Sequence, residues 1–152
     1  MKVDIAKPDD HDMIMSLCYR FYTESGTKIN WNTAKAEAVV AKAIEDRANY
    51  LMLTLKDDEQ WVVGVLGAEI ITPHFSNDRV AMEWLWYVDP SYRSSKSIQL
   101  LKAYLYWAFD VMKCDHATMS TLDGELADKL HKLYTKIGFS KQENTYIIGR
   151  AT

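Results

Sequence analysis

The sequence predicts one α/β (α+β) domain over residues 1–152, a mixed and mostly antiparallel central sheet of about seven strands flanked by four helices. Two observations predict it. The hydrophobic period switches between helical and alternating along the chain, in the order β-α-α-β-β-β-α-β-α-β-β. The run Val80-Val88 is apolar on both faces, which marks a strand covered on both sides and therefore central.

Each element has its own signal. Lys2-Ile5 opens the chain as a short strand. Pro8 suits the first position of a helix, and Asp9, Asp10 and Asp12 put negative charge at its positive end. Ile14, Leu17, Cys18 and Phe21 recur at helical spacing, and Gly26 ends the run. A second helix starts near Asn32, an N-cap type, and carries Val39, Val40, Ala43 and Ile44 on one side.

Tyr50-Leu55 and Trp61-Ile71 then read as a hairpin around Lys56-Asp57-Asp58-Glu59, with Gly64 and Gly67 marking a bulge or close backbone packing. Thr72-Asp78 is a loop before Val80-Val88, which Asp89-Pro90 ends. A helix over roughly Ser97-Lys113 places Ile98, Leu101, Leu105, Ala108 and Met112 three and four apart. Ala117-Leu122 is the next strand. Asp123 caps a helix with Leu126, Leu130, Leu133 and Ile137, Gly138 stops it, and Phe139-Lys141 and Thr145-Arg150 close the chain as strands.

Composition excludes several functions. With 48% apolar and 26% charged residues the chain is an ordinary globular one. No run approaches the ~18 apolar residues of a membrane helix, so no membrane partner is expected. Met1-Lys2-Val3-Asp4-Ile5 reaches a charge too soon for a signal peptide, and a cytoplasmic location is expected. A net charge of −3 argues against a nucleic-acid partner. Cys18 and Cys114 read as structural thiols, against a disulfide or reactive thiol. His11, His74, His116 and His131 form no ligand cluster, so no metal is expected.

Chemistry concentrates where the Val80-Val88 strand turns into the next helix. A strand that leads through a tight turn into a helix N-terminus presents free N–H groups and the positive end of a dipole, which suits phosphate. The turn Asp89-Pro90-Ser91-Tyr92-Arg93-Ser94-Ser95-Lys96-Ser97 adds the charges of Arg93 and Lys96 and the hydroxyls of Ser94, Ser95 and Ser97. A polar loop that merely caps a helix is the alternative.

Val88-Asp89-Pro90-Ser91-Tyr92-Arg93, followed by Leu100-Leu101, resembles the coenzyme A-binding segment of the GNAT N-acetyltransferase family. There a strand ending Val-x-Pro-x-Tyr-Arg enters an Arg-x-x-Gly-x-Gly/Ala loop. Downstream, Leu133-Tyr134-Thr135-Lys136-Ile137-Gly138-Phe139 is similar to the family's Leu-Tyr-x-Lys-x-Gly-Phe. One departure stands out: Lys96 and Ile98 occupy the loop positions where the family has glycine or alanine, so side chains narrow the phosphate approach.

The resemblance implies a GNAT-like fold and an acetyl-CoA-dependent N-acetyltransferase acting on a primary amine of a small molecule, a protein lysine or an N-terminus. It implies a cofactor site at Trp86, Tyr87, Val88, Arg93, Ser94, Ser95, Lys96, Ser97 and Ile98, with pantetheine on the backbone near Trp86-Val88. Tyr134 matches the family's general-acid tyrosine, against a role as a half-buried packing aromatic. Glu83, the only charge in Val80-Val88, is a candidate base with a raised pKa, against a buried ion pair. Tyr22, Asn30, Trp31, His74, Phe75 and Tyr146 are acceptor-site candidates, with His74 an alternative base. A homodimer is expected by analogy. A non-catalytic domain of the same fold, with a degenerate coenzyme A loop, is the competing reading.

Overall fold

The structure, a computed structural model, describes residues 1–151. β1 (Lys2–Ile5) leads through a 3₁₀ turn at Pro8 into α1 (His11–Ser25). Asp10 fixes that entry. Its buried carboxylate accepts the Lys7 amide at 2.9 Å and pairs with the Lys56 ammonium at 2.7 Å, so the helix start is tied to the neighbouring strand. Asn32 caps α2 (Thr33–Glu45) by accepting from the Lys35 amide at 2.9 Å.

β2 (Tyr50–Lys56), β3 (Val62–Ile71), β4 (Val80–Val88) and β5 (His116–Thr118) complete one sheet in the order β1-β2-β3-β4-β5. The first four strands are antiparallel, and β5 lies parallel to β4. α1 and α2 cover one face, where Ile14, Leu17, Val40 and Ile44 pack on Val65 and Leu85. α3 (Ile98–Tyr106), extended by a π-helical turn over Trp107–Val111, covers the other with Leu100, Leu101 and Tyr104 on Leu53 and Leu66. α4 (Ala127–Ile137) lies on that second face through Tyr134.

Three expectations need correction. Among the described residues the sheet has five strands, not about seven: Phe139-Lys141 and Thr145-Arg150 are not strands. Phe139 is instead the cap contact of α4, its ring 5.5 Å from that of Tyr134. Thr145-Ile148 is strand-like in composition, but a strand needs a partner edge, and Tyr146, Ile147 and Ile148 stand exposed. The strand expected over Ala117-Leu122 pairs only at His116–Thr118, because the backbone of Ser120 is taken by side chains. The last helix starts at Ala127 rather than at Asp123.

Candidate active site

Three turns of chemistry meet where β4 and β5 part. Their parallel ladder pairs Val80, Ala81 and Met82 with His116, Ala117 and Thr118 and stops there. At the fork the Tyr104 hydroxyl donates to the carbonyls of Ala81 and Thr118, both at 2.9 Å. Just beyond it, Glu83 Oε2 accepts the Ser120 amide at 3.1 Å, and Tyr134 Oη donates to the Ser120 carbonyl at 3.2 Å. Both backbone groups of one residue are thus satisfied by side chains from β4 and α4, which holds the departing chain away from the rest of β4.

A bulge sets which side chains face this gap. β3 and β4 shift register at Gly67/Ala68, so Leu85 lies opposite Gly67 and Glu83 opposite Ala68, with Trp84 as the extra residue. Ala81 and Glu83 therefore face α3 and α4, Trp84 and Leu85 both face α1 and α2, and Trp86 and Val88 return to the α3 side. The ring of Trp86 comes 6.3 Å from that of Tyr134.

Glu83 has no ion-pair partner among the described residues, so the ion-pair alternative for it falls away. Burial pushes its carboxyl up to about 7, and the single bond from the Ser120 amide offsets only part of that. Burial first, and then the charge of Glu83, raise the Tyr134 hydroxyl above its usual range. Tyr134 therefore holds its proton at any working pH, and Glu83 is poised to exchange one.

Tyr134 owes its place to the motif around it. Gly138 turns left-handed at φ 118°, which lets its amide reach the Thr135 carbonyl at 3.1 Å and the Phe139 amide reach the Tyr134 carbonyl at 2.9 Å. Phe139 then folds back on the Tyr134 ring. This is a Schellman cap, and it gives the spacing Tyr-x-x-x-Gly-Phe a physical purpose. Gly138→Ala, which puts a side chain at a left-handed position, is expected to lower stability by about 1–2 kcal/mol and to shift the tyrosine. Denaturant unfolding checks the first effect and turnover the second.

The loop after β4 differs from its expected part. Arg93 donates from Nε to the Val88 carbonyl at 2.8 Å and pairs with Glu24 at 3.3 Å, on the α1 side. Glu24 also accepts the Tyr87 hydroxyl at 2.6 Å, and Arg20, paired with Asp89 at 2.6 Å, stands over the same Tyr87 ring as Arg93. Arg93 is thus committed to a clasp between α1 and the loop. Lys96 is exposed and makes no ion pair among the described residues. Ser94 Oγ accepts the Lys96 amide at 3.2 Å and Ser97 Oγ the Ser94 amide at 3.1 Å, while Ser95 is exposed and Ile98 opens α3 half-buried.

Of the acceptor candidates, Tyr22 and Trp31 come together: their rings lie 5.3 Å apart, and Tyr22 Oη accepts the Trp31 amide at 3.2 Å. Asn30 is exposed beside them in sequence. His74 and Phe75 lie exposed in the β3–β4 connection, and Tyr146 is 89% exposed in the last segment, so none of the three joins that pair. Tyr104, Ser120 and Glu24 are features that the sequence reading missed. Ser120 acts through its backbone and leaves no signal, whereas Gly67 did mark the bulge.

The sequence matches the profile of the Acetyltransferase (GNAT) family over residues 13–139. The chain belongs to the GNAT family. It is a family of N-acetyltransferases that take acetyl-CoA as acetyl donor. No curated protein matches it in sequence. Among solved structures it is similar to the aminoglycoside 6'-N-acetyltransferase AAC(6')-Ig of Acinetobacter haemolyticus, at 17% identity and TM-score 0.72, covering 100% of this chain and 99% of that one. It is also similar to an acetyltransferase of Trypanosoma brucei, at 16% identity and TM-score 0.71, with 98% and 99% covered. A third is AAC(6')-Iy, solved with a bisubstrate analogue joining coenzyme A to acetylneamine, at 14% identity and TM-score 0.73, with 99% and 98% covered. At these identities the likeness is one of fold.

Two features suit an extended, amide-bearing chain such as pantetheine. Beyond Met82, β4 has no ladder partner on its β5 side. Trp86 Nε1 is a buried side-chain donor without an acceptor, the one such atom among the described residues.

Proposed function

We propose that this protein acetylates a primary amine by direct attack, with Glu83 as the base and Tyr134 as the acid. The observation that carries it is their convergence on Ser120 at the fork, with Glu83 raised to about 7 and Tyr134 kept protonated. Acetyl-CoA, when bound, supplies an acyl carbon activated by a sulfur that leaves as thiolate. The unpaired stretch of β4 over Trp86, Tyr87 and Val88 would hold the pantetheine arm, and the Trp86 indole N–H would donate to it. Ser94, Ser95, Lys96, Ser97 and Ile98 would hold the pyrophosphate. Lys96 supplies the charge there, since Arg93 is spent on Glu24.

Glu83 takes the proton that the acceptor nitrogen loses as its bond to the acyl carbon forms, directly or through water. Tyr134 gives its hydroxyl proton to the departing sulfur and recovers one from solvent. The acceptor, a small-molecule amine, a protein lysine or an N-terminus, would enter past Tyr22 and Trp31. A cytoplasmic location goes with this reading, because Cys18 and Cys114 are free thiols and burial pushes the Cys18 thiol up to about 11, where it is inert. Exposed Tyr146, Ile147 and Ile148 favour a homodimer through the last segment.

A second reading has a specific support: two loop amides are already bonded to the loop's own serines, as in a non-catalytic descendant of the fold. Calorimetric titration with acetyl-CoA, with ATP as control, separates the two. The enzyme binds saturably. Ser97→Glu, which sets a carboxylate in the loop, is expected to weaken binding by about 100-fold or more through charge repulsion with the fold intact. Unaltered affinity in that variant would remove the loop from the site, and no binding by the parent protein at millimolar acetyl-CoA would favour the non-catalytic domain.

A further inference from the structure

α1 carries two stripes. Ile14, Leu17 and Cys18 are buried in the core against the sheet. Asp12, Met15 and Tyr19, again three and four apart, line something else. Between them and the start of α2 lies an open cleft of about 540 Å³, whose other wall is Trp31, Thr33 and Glu37. The aromatic part of this cleft is fixed in place. The Trp31 indole N–H donates to Thr33 Oγ1 at 2.9 Å, and the Tyr19 ring meets the indole edge-on with centroids 5.4 Å apart. His11 donates from Nε2 to the Glu37 carbonyl at 3.2 Å, which ties the first turn of α1 to α2. Rings held this way lose little freedom when a partner binds. Tyr19 is nonetheless 51% exposed, an aromatic surface that the fold leaves uncovered.

The charge of the cleft is one-sided. Asp12 and Glu37 line it, and among the described residues no lysine, arginine or histidine does. Glu37 forms no ion pair among the described residues, and Asp12 pairs only with His11 at 3.4 Å. A guanidinium answers both parts of such a surface: its plane lies on an aromatic ring and its N–H groups take carboxylates. The cleft is also open, with Asp12, Tyr19 and Glu37 exposed along it. A free small amine would stay mostly in water there, well short of the roughly 70–90% burial of a small-molecule site. A side chain carried on a polypeptide suits it better, because the backbone that bears it continues over the surface beyond.

We propose that the cleft between α1 and α2 docks an arginine side chain of a polypeptide partner, held against the Tyr19 ring and paired with Asp12 and Glu37. On the acetyl-transfer reading that polypeptide is the acceptor, since Trp31 also meets Tyr22, at 5.3 Å, where the acceptor would enter. The docking cleft itself does not rest on that reading.

The cleft can be tested without any turnover. The full-length protein is titrated at fixed ionic strength with a blocked peptide that carries one arginine between serines and glycines. The Trp31 indole N–H resonance is followed, assigned by its absence in Trp31→Phe. A saturable shift with millimolar affinity is expected, and none with the same peptide carrying neutral citrulline instead. Tyr19→Ala should weaken binding by about threefold to fivefold, and Asp12→Asn with Glu37→Gln by about tenfold. No shift by about 20 mM peptide, an equal shift with citrulline, or an unchanged affinity in the double variant overturns the docking cleft. Blocked arginine alone, bound as tightly as the peptide, would overturn a polypeptide partner. The acetyl-CoA titration is independent: a protein that binds the arginine peptide but no acetyl-CoA loses the acetyl-transfer reading alone, and the reverse result removes only the cleft.

Discussion

Tyr134→Phe is expected to lower turnover by about 10²–10⁴-fold while leaving acetyl-CoA affinity within about twofold. The variant keeps the ring, and with it the contacts to Trp86 and Phe139 at 6.3 and 5.5 Å. What it removes is one hydroxyl, whose one hydrogen-bond partner among the described residues is the Ser120 carbonyl at 3.2 Å. That hydroxyl is held protonated by burial and by the nearby charge of Glu83, so in the proposed reaction it gives a proton rather than takes one. Steady-state rates, set beside a calorimetric titration of the same protein, separate the two effects. A variant as fast as its parent would make Tyr134 a packing residue and move the acid elsewhere.

Glu83→Gln should act in opposite directions on activity and on stability. The carboxyl, raised from 4.5 to about 7 chiefly by burial, must lose its proton before it can accept one. In the parent protein kcat/KM therefore climbs with pH through about 7, and the glutamine variant loses both that limb and most of its rate, by about 100-fold or more. Stability behaves differently. Folding favours the protonated form, so between 4.5 and about 7 the folded chain keeps a proton that the unfolded chain has released, and stability falls as pH rises through that window. Glutamine carries no such charge. At pH 8 it should be more stable than its parent by on the order of 3 kcal/mol, and at pH 4 about equal to it. Denaturant unfolding at the two pH values reads this directly. A difference that does not depend on pH would show that folding leaves the carboxyl's pKa where it is in the unfolded chain, so that Glu83 is not raised by burial.

These two predictions meet at one feature of the fold. A carboxylate in the covered strand of a sheet is costly, and the cost is tolerated where the strand has lost its neighbour. β4 and β5 separate after three paired positions, and the Ser120 backbone is satisfied by Glu83 and Tyr134 instead of by a ladder. A stability deficit concentrated at such a place is what a catalytic group requires.

The sequence alone determined the order of the elements through α4, because that order is written in periodicity and in local stops such as Pro8, Asn32, Asp89-Pro90 and Gly138. It also singled out Glu83 and Tyr134, since a lone charge in an apolar strand and a Tyr-x-x-x-Gly-Phe cap are local patterns. Tertiary structure decided the rest. Whether Thr145-Ile148 becomes a strand depends on finding an edge, which no propensity encodes. The destination of Arg93 depended on Glu24, far away in the chain at the end of α1. The fork was sealed by Tyr104 and by the backbone of Ser120, groups with no signature of their own. The bulge that turned Trp84 beside Leu85 was announced only by Gly67, and its meaning appeared once β3 and β4 were laid side by side. Local chemistry is carried by neighbours in sequence, but a site is made by residues that only packing brings together.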